Sequence, residues 1–355
     1  MRWLSLFIPF SIFLWIIHAS PALVFIAAGI AIVPLTKLLS SSTMILAEAR
    51  GAVVGGLMNA TFGNATELII TLVALQRNEL QVVRASLIGS IIGNVLLVLG
   101  LSAFIGGLRH RLLQFSAEGA HAHVTMMGLS VIALLTPALL ARVSLHSAAL
   151  EVGKGGMGLS IGVACILLLL YGGGLLFSMH THQSLFLLND SEQRETPAAT
   201  LSSKDIWRAI LILAGVTVGV AIESEILVGS IGPMVVQIHL SRLFVGLILL
   251  PIIGNATEHS VAVLMAMRNR MDVSLNIAVS SSNQIAMFVA PIAVFFSLVV
   301  GHPLTILFSN SELIALAAAV VIAMLVVGDG KSHWLEGLQL LGVYAILALT
   351  FYYIA

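Results

Sequence analysis

The pentapeptide GNATE at residues 63–67 lies inside the apolar run GGLMNATFGNATELIITLVAL (55–75). The same five letters recur at residues 254–258, inside LLPIIGNATEHSVAVLMAM (249–267). Each copy places an Asn and a Glu where every neighbouring stretch is apolar. A charged side chain at the centre of a bilayer costs at least about 2.5–3.5 kcal/mol. If both runs cross a membrane, the two Glu residues therefore indicate a functional site.

The composition indicates a membrane protein. Of the 355 residues, 59% are hydrophobic and 9% are charged, and the mean hydropathy is +1.08. A soluble domain carries roughly 25% charged residues, so most of this surface must face the lipid bilayer. Basic and acidic side chains balance at 16 each, which gives no indication of a nucleic-acid partner.

Apolar stretches long enough to cross a membrane divide the chain. A spanning helix needs about 20 apolar residues, and the sequence predicts an all-α polytopic protein with about eleven such helices. We place them at residues 3–19, 21–39, 51–76, 81–108, 122–140, 157–180, 206–236, 242–268, 272–300, 311–327 and 334–354. The first stretch also resembles a signal peptide, whose removal would leave ten spans.

The basic residues between the spans predict the orientation. Lys and Arg collect in the cytoplasmic connections of membrane proteins. Eleven of them lie on the side of the N-terminus: Arg2, Lys37, Arg50, Arg109, Arg111, Arg194, Lys204, Arg208, Arg268, Arg270 and Lys331. Five lie on the other side: Arg77, Arg84, Arg142, Lys154 and Arg242. We therefore expect the N-terminus in the cytoplasm and the C-terminus outside.

The two GNATE copies predict an internal repeat. The first copy falls in the third span and the second in the eighth, an odd number of helices apart, so the two copies run in opposite directions through the bilayer. Inverted repeats of this kind are typical of secondary transporters. We expect an extra N-terminal helix (1–20), a five-helix repeat (21–188), a short acidic cytoplasmic linker (189–205) and a second five-helix repeat (206–355).

A second pair of polar clusters supports the duplication. GSIIGN (89–94) follows the first motif and SSSNQ (280–284) follows the second. Asn94 lies 27 residues after Glu67, and Gln284 lies 26 residues after Glu258. Each half thus contributes two polar clusters at matched spacing.

These residues predict an ion site near the middle of the membrane. Asn64 and Glu67 share one helix face, as do Asn255 and Glu258, because each pair is three residues apart. We expect the two carboxylates to bind the ion, with polar support from Asn64, Asn255, Ser90, Asn94, Ser281 and Gln284. This set is all oxygen, which suits a hard cation such as Ca²⁺. The alternative is that both Glu residues are protonated and only hold helices together.

Backbone carbonyls are further candidate ligands. Those at Gly63 and Gly254 could complete the 6–8 oxygens that Ca²⁺ takes. We expect Pro251 to help free them by removing a helical hydrogen bond, whereas the first motif has Ala60 at the equivalent position.

The charge of the site suggests an exchange mechanism. Two ionised carboxylates repel each other in a low dielectric, so an empty site with two negative charges is costly. One Ca²⁺ or two protons would neutralise it. If only the neutral states pass between inward- and outward-facing forms, the exchange becomes obligatory.

These motifs resemble those of the calcium/proton exchangers, in the cation/proton exchanger family of the calcium/cation antiporter superfamily. The resemblance rests on GNATE and GNATEH with GSIIGNVLLVLG (89–100) and SSSNQIAMFVAP (280–291). It implies one extra helix before two repeats and calcium export driven by proton entry at Glu67 and Glu258. Compared with vacuolar members the chain has no long N-terminal regulatory extension, which favours a prokaryotic cell membrane.

Two further predictions concern neighbouring residues. His259 follows the second Glu, as in the family, and either passes protons or bonds a neighbouring helix. Asp190, Glu192 and Glu195 resemble the acidic segment of the family and form a candidate regulatory patch, although a solvated linker is the simpler interpretation.

Competing functions remain open at this point. The coupling ion could be Na⁺, although separate sodium sites would call for further ligands, and the substrate could be Mn²⁺ or another divalent cation. A channel fits poorly with the cost of an empty acidic site. An intramembrane hydrolase using Ser281 or Ser282 fits poorly with two copies of one acid. No cofactor is expected, and the sequence leaves the oligomeric state open, a homo-oligomer included.

Overall fold

The structure is a computed structural model that describes residues 3–50, 58, 61–143, 154–177 and 202–354. These residues are almost wholly helical, with one pair of short antiparallel strands, Leu113–Gln114 (β1) and Lys331–Ser332 (β2). The helices are α1 (Phe7–Ile16), α2 (Pro21–Arg50), α3 (Ala65–Gln76), α4 (Leu80–His110), α5 (Ala117–Val143), α6 (Lys154–Leu176), α7 (Ser203–Ile238), α8 (Arg242–Gly254), α9 (Ala256–Met267), α10 (Met271–Val299), α11 (Asn310–Val327) and α12 (Trp334–Ile354).

The helices fit a membrane. Within the described ranges, seven are long and apolar enough to cross a bilayer, or eight if the bent pair α8 and α9 is one span. Helix α1, helix α3 and residues Val124–Leu139 of α5 are shorter apolar segments. Large apolar side chains are exposed on the outer helices, including Leu169, Val236 and Leu325. The all-α membrane architecture is therefore confirmed, and the count of eleven spans stays a prediction.

Both GNATE motifs sit at a helix start with the same backbone geometry. Asn64 precedes α3 with φ −103° and ψ 28°, and Asn255 lies between α8 and α9 with φ −95° and ψ 7°. The axes of α8 and α9 differ by 61° at this break. Each Glu thereby falls in the first turn of a helix, where the helix dipole favours a negative charge.

The bend occurs at Asn255 and not at Pro251. The backbone N–H of Asn255 donates to the Pro251 carbonyl at 3.0 Å, so helical hydrogen bonding continues past the proline. Asn64 makes the same break without a proline four residues earlier. The bend therefore lies at the Gly-Asn pair that both motifs share. That Pro251 helps to free carbonyls by its missing N–H stays a prediction.

Two glycines let α4 and α8 touch backbone to backbone. A Cβ at Gly89 would collide with the Leu247 carbonyl, and a Cβ at Gly246 would lie 2.8 Å from the Val82 carbonyl. Each helix thus presents a glycine to the backbone of the other. This contact brings the second polar cluster of the first half close to the helix that precedes the second GNATE.

A separate group of helices is formed by α1, α2 and α7. Helices α2 and α7 pack along most of their length, and α1 lies against both. Gly219 of α7 faces Leu35 of α2, and the Gln237 amide donates to the Ser20 hydroxyl at 2.9 Å. Helix α7 also packs on α3, which connects this group to the first GNATE.

Candidate functional site

The two glutamates of the motifs lie close together in the interior. Glu67 is buried, and its Oε1 atom is 3.3 Å from the position of a Cβ on Gly254, in the other motif. The carboxyl groups of Glu67 and Glu258 are near enough to interact electrostatically. The fold thus unites acids that are far apart in the sequence.

Asn64 connects the first motif to the polar cluster that follows the second. Its amide Nδ2 donates to Gln284 Oε1 at 2.5 Å, and its Oδ1 accepts from the Ser281 hydroxyl at 2.9 Å. Ser281 in turn accepts a hydrogen bond of 3.0 Å from Asn94 Nδ2 and is within hydrogen-bonding reach of Glu258. Five of the predicted site residues therefore form one continuous network.

Asn255 of the second motif contacts the polar cluster that follows the first motif. Its Nδ2 lies 3.2 Å from the Pro251 carbonyl and 3.5 Å from the Ser90 hydroxyl. Its Oδ1 is buried and accepts no hydrogen bond, and the same holds for Glu258 Oε2. Buried acceptors of this kind are nearly always satisfied in folded proteins, so both oxygens are available to a bound cation.

The donor set fits a hard divalent cation as the bound species. Carboxylates from Glu67 and Glu258 and the amide oxygen of Asn255 supply oxygen ligands, and carbonyls at the end of α8 lie beside them. In the described part of the chain, no group of three or more His, Cys, Asp or Glu side chains could hold a metal ion. A hard cation held here would therefore also need amide, hydroxyl or backbone oxygens, which calcium sites use.

Sequence reasoning missed two threonines. Thr66 Oγ1 lies 3.1 Å from Thr36 Oγ1, and Thr257 Oγ1 donates to the Val33 carbonyl at 3.4 Å. Thr36 and Val33 are both on α2, so each motif touches this helix through its fourth residue. The signal was present, because the Thr is identical in both pentapeptides.

The remaining predicted residues are placed in part. His259 is partly buried on α9, and its Nε2 atom has no hydrogen-bond partner; the structure thus shows no bond from this atom to a neighbouring helix. Asp190, Glu192 and Glu195 lie outside the described residues.

An apolar cavity lies next to the second motif. It has a volume of about 420 Å³ and lies between α2, α7 and α8, with Gly29, Ile253 and Ala256 in its wall. Every residue that lines it is apolar or glycine. A hydrated ion would lose its water there without gaining ligands, so this cavity is not an ion path.

Comparisons with known proteins agree on one family. The family model described as "Sodium/calcium exchanger protein" matches residues 20–180 and 208–353. A protein of Aphanothece halophytica named "Ca(2+)/H(+) antiporter" is 41% identical over 99% of this chain and 95% of its own length. A protein of the same name from Synechocystis sp. is 43% identical over 93% of this chain and 91% of its own. Among solved structures, "Structure of native YfkE" is 33% identical with a TM-score of 0.82, covering 98% of both chains.

Proposed function

This chain belongs to the sodium/calcium exchanger protein family, and from this premise we propose how Glu67 and Glu258 perform its transport. The protein is a Ca²⁺/H⁺ antiporter of a membrane. Relatives that match it over nearly their full length are named Ca²⁺/H⁺ antiporters. It is a secondary transporter and not an enzyme. Ca²⁺ and H⁺ are its transported substrates, and no cofactor is implied.

We assign the ion to the space between the two motifs. The observation that carries this assignment is the pair of buried oxygens without a donor, Asn255 Oδ1 and Glu258 Oε2, close to the Glu67 carboxyl. A cation would satisfy both oxygens and balance both acids. In this proposal Asn64, Asn94, Ser281 and Gln284 hold the ligands in position through their shared hydrogen bonds.

The same two acids would carry the protons. With the ion absent, two carboxylates this close in a buried place repel each other, and each can be neutralised by a proton. Ca²⁺ and protons would then exclude each other, because both need the same oxygen atoms. Only the neutral forms would pass between the inward-facing and outward-facing states. Proton entry would then drive calcium export.

The finer architecture belongs to the same proposal. We propose eleven spans, with residues 1–20 as an extra helix, 21–188 and 206–355 as inverted repeats, and 189–205 as an acidic linker. The matched backbone breaks at Asn64 and Asn255 support the repeat. We further propose that the N-terminus lies in the cytoplasm, on the distribution of Lys and Arg, and that the membrane is a prokaryotic cell membrane, on the bacterial relatives.

Calcium flux in proteoliposomes tests the assignment. An imposed pH gradient should drive calcium uptake, sodium should not replace it, and Glu67→Gln or Glu258→Gln should each abolish it. Glu225→Gln is a matched control, since this carboxylate is exposed on α7 and pairs with Arg77; it should transport normally. Uptake that survives both motif substitutions would refute the two-glutamate site, and uptake driven equally by sodium would refute proton coupling.

A further inference from the structure

A third acid lies in the interior, away from the motifs. Glu223 is on α7, 20 residues from its first residue, and none of its surface is exposed. Both of its carboxyl oxygens are 2.8 Å from the hydroxyl of Ser11 on α1, which is also fully buried. No salt bridge in the described part of the chain involves Glu223.

Counting hydrogens decides which form of Glu223 fits. Ser11 Oγ lies 2.9 Å from the Ile8 carbonyl as well as 2.8 Å from each Glu223 oxygen, yet a hydroxyl has one hydrogen to donate. An ionised carboxylate would offer about four acceptor positions to that single hydrogen. A protonated acid instead donates to Ser11 Oγ and leaves the Ser11 hydrogen for the Ile8 carbonyl, so both hydrogens have an acceptor and no charge is buried.

Among the described residues no cation forms a salt bridge with Glu223, and Arg242 of α8, which reaches α7, pairs with Glu79. Helix α1 carries no ionisable side chain, and the Lys37 side chain of α2 is exposed. On α7 itself, Glu225 turns to Arg77. On α3, which also packs against α7, the acid is Glu67, and it lies against Gly254. An unpaired buried charge costs several kcal/mol, so the surroundings favour the neutral acid.

We infer that Glu223 is a proton-binding site separate from the exchange site, and that its proton fastens the N-terminal helix α1 to α7. The ligand is a single H⁺, bound on a carboxyl oxygen and shared with Ser11 Oγ. When this proton leaves, the single Ser11 hydrogen must serve either the Ile8 carbonyl or the carboxylate. One hydrogen bond between these groups is lost and a buried negative charge remains, so the attachment of α1 to α7 weakens. The inference does not depend on Glu67 and Glu258 carrying the ions.

Infrared spectroscopy of the full-length protein in lipid tests the bound proton. The background is Glu67→Gln/Glu258→Gln, which removes the acids of the exchange site. Adding Glu223→Gln should eliminate the C=O band of a protonated carboxyl. Glu225→Gln is the matched control on the same helix; it should remove carboxylate intensity and leave that band unchanged. Loss of carboxylate intensity on Glu223→Gln would overturn the inference.

Thermal unfolding and transport test what the proton does. The unfolding temperature of the wild type should fall as the pH rises to where Glu223 ionises. Glu223→Gln, which keeps a donor for Ser11, should show a smaller fall, and the remainder comes from Glu67 and Glu258. Ser11→Ala should lower the unfolding temperature in the acidic range, where the bond is intact. Identical pH dependence of Glu223→Gln and wild type, or loss of calcium uptake in a folded Glu223→Gln, would overturn the separate fastening site.

Discussion

The Ser281 hydroxyl donates a hydrogen bond of 2.9 Å to the side-chain carbonyl of Asn64, 217 positions earlier in the chain. The Ser281 hydroxyl oxygen in turn accepts a hydrogen bond from Asn94 Nδ2. Ser281→Ala would therefore leave the buried atoms Asn64 Oδ1 and Asn94 Nδ2 without these hydrogen bonds. Such a loss costs about 1–3 kcal/mol, so we expect the apparent calcium affinity to fall roughly 5- to 150-fold, measured from uptake rate against calcium concentration.

Ser280→Ala is the control for this prediction. Ser280 is the preceding residue on α10, and its hydroxyl bonds Asn276 within the same helix. It should bind calcium as the wild type does. Equal losses in the two variants would show that helix α10 was disturbed in general.

The pH should control calcium binding through competition. Protons neutralise the carboxylates that bind Ca²⁺, so the apparent calcium affinity should fall as the pH on the calcium-loading side falls. Mass action predicts roughly a tenfold change per pH unit for each proton displaced. Calcium-dependent uptake rates at a series of pH values measure this slope, and a slope of zero would contradict shared ligands.

His259 offers a test of proton delivery. If it passes protons to Glu258, His259→Gln should slow calcium uptake driven by a pH gradient and leave calcium-for-calcium exchange unchanged, because only the first process moves protons. Radioactive calcium measures both fluxes in the same vesicles. Ser260→Ala is the control, since this exposed serine bonds the Ala256 carbonyl on its own helix. Equal slowing of both fluxes by His259→Gln would indicate a role in packing.

The crossing of α4 and α8 makes a prediction about stability. Gly89→Ala would place a methyl group into the Leu247 carbonyl, and overpacking of this kind costs typically about 1–3 kcal/mol. We expect a lower unfolding temperature in detergent. Gly93→Ala, one turn later on α4, is the control: its nearest new neighbour would be Pro251 Cβ at 3.9 Å. That variant should be as stable as the wild type.

The apolar pattern predicted the position of most helices and missed their breaks. The stretch 81–108 corresponds to α4, Leu80–His110. The stretch 242–268 was predicted as one span, yet the chain bends by 61° at Asn255. Hydropathy averages over about 19 residues, so it does not register one polar residue between two apolar helices.

The polar residues of the site were predictable, and their pairing was not. The repeated motif predicted Asn64 as a site residue. The polar clusters that follow the two motifs predicted Asn94, Ser281 and Gln284. That Asn64 bonds Gln284 and Ser281, both from the other half, depends on how the helices cross. Glu223 escaped notice because it has no counterpart in a repeated motif, and its partner Ser11 lies in a segment that also resembles a signal peptide.

Helix α2 touches both motifs within one turn, through Val33 and Thr36. A displacement of this one helix therefore acts on Thr66 and Thr257 together, and each threonine directly precedes an acid. Helix α2 therefore couples the two acids mechanically: a movement of this helix changes the surroundings of both Glu67 and Glu258. Binding of Ca²⁺ or of protons at the two acids would then act on α2 as one event. Strict exchange of Ca²⁺ for protons requires that both acids respond together.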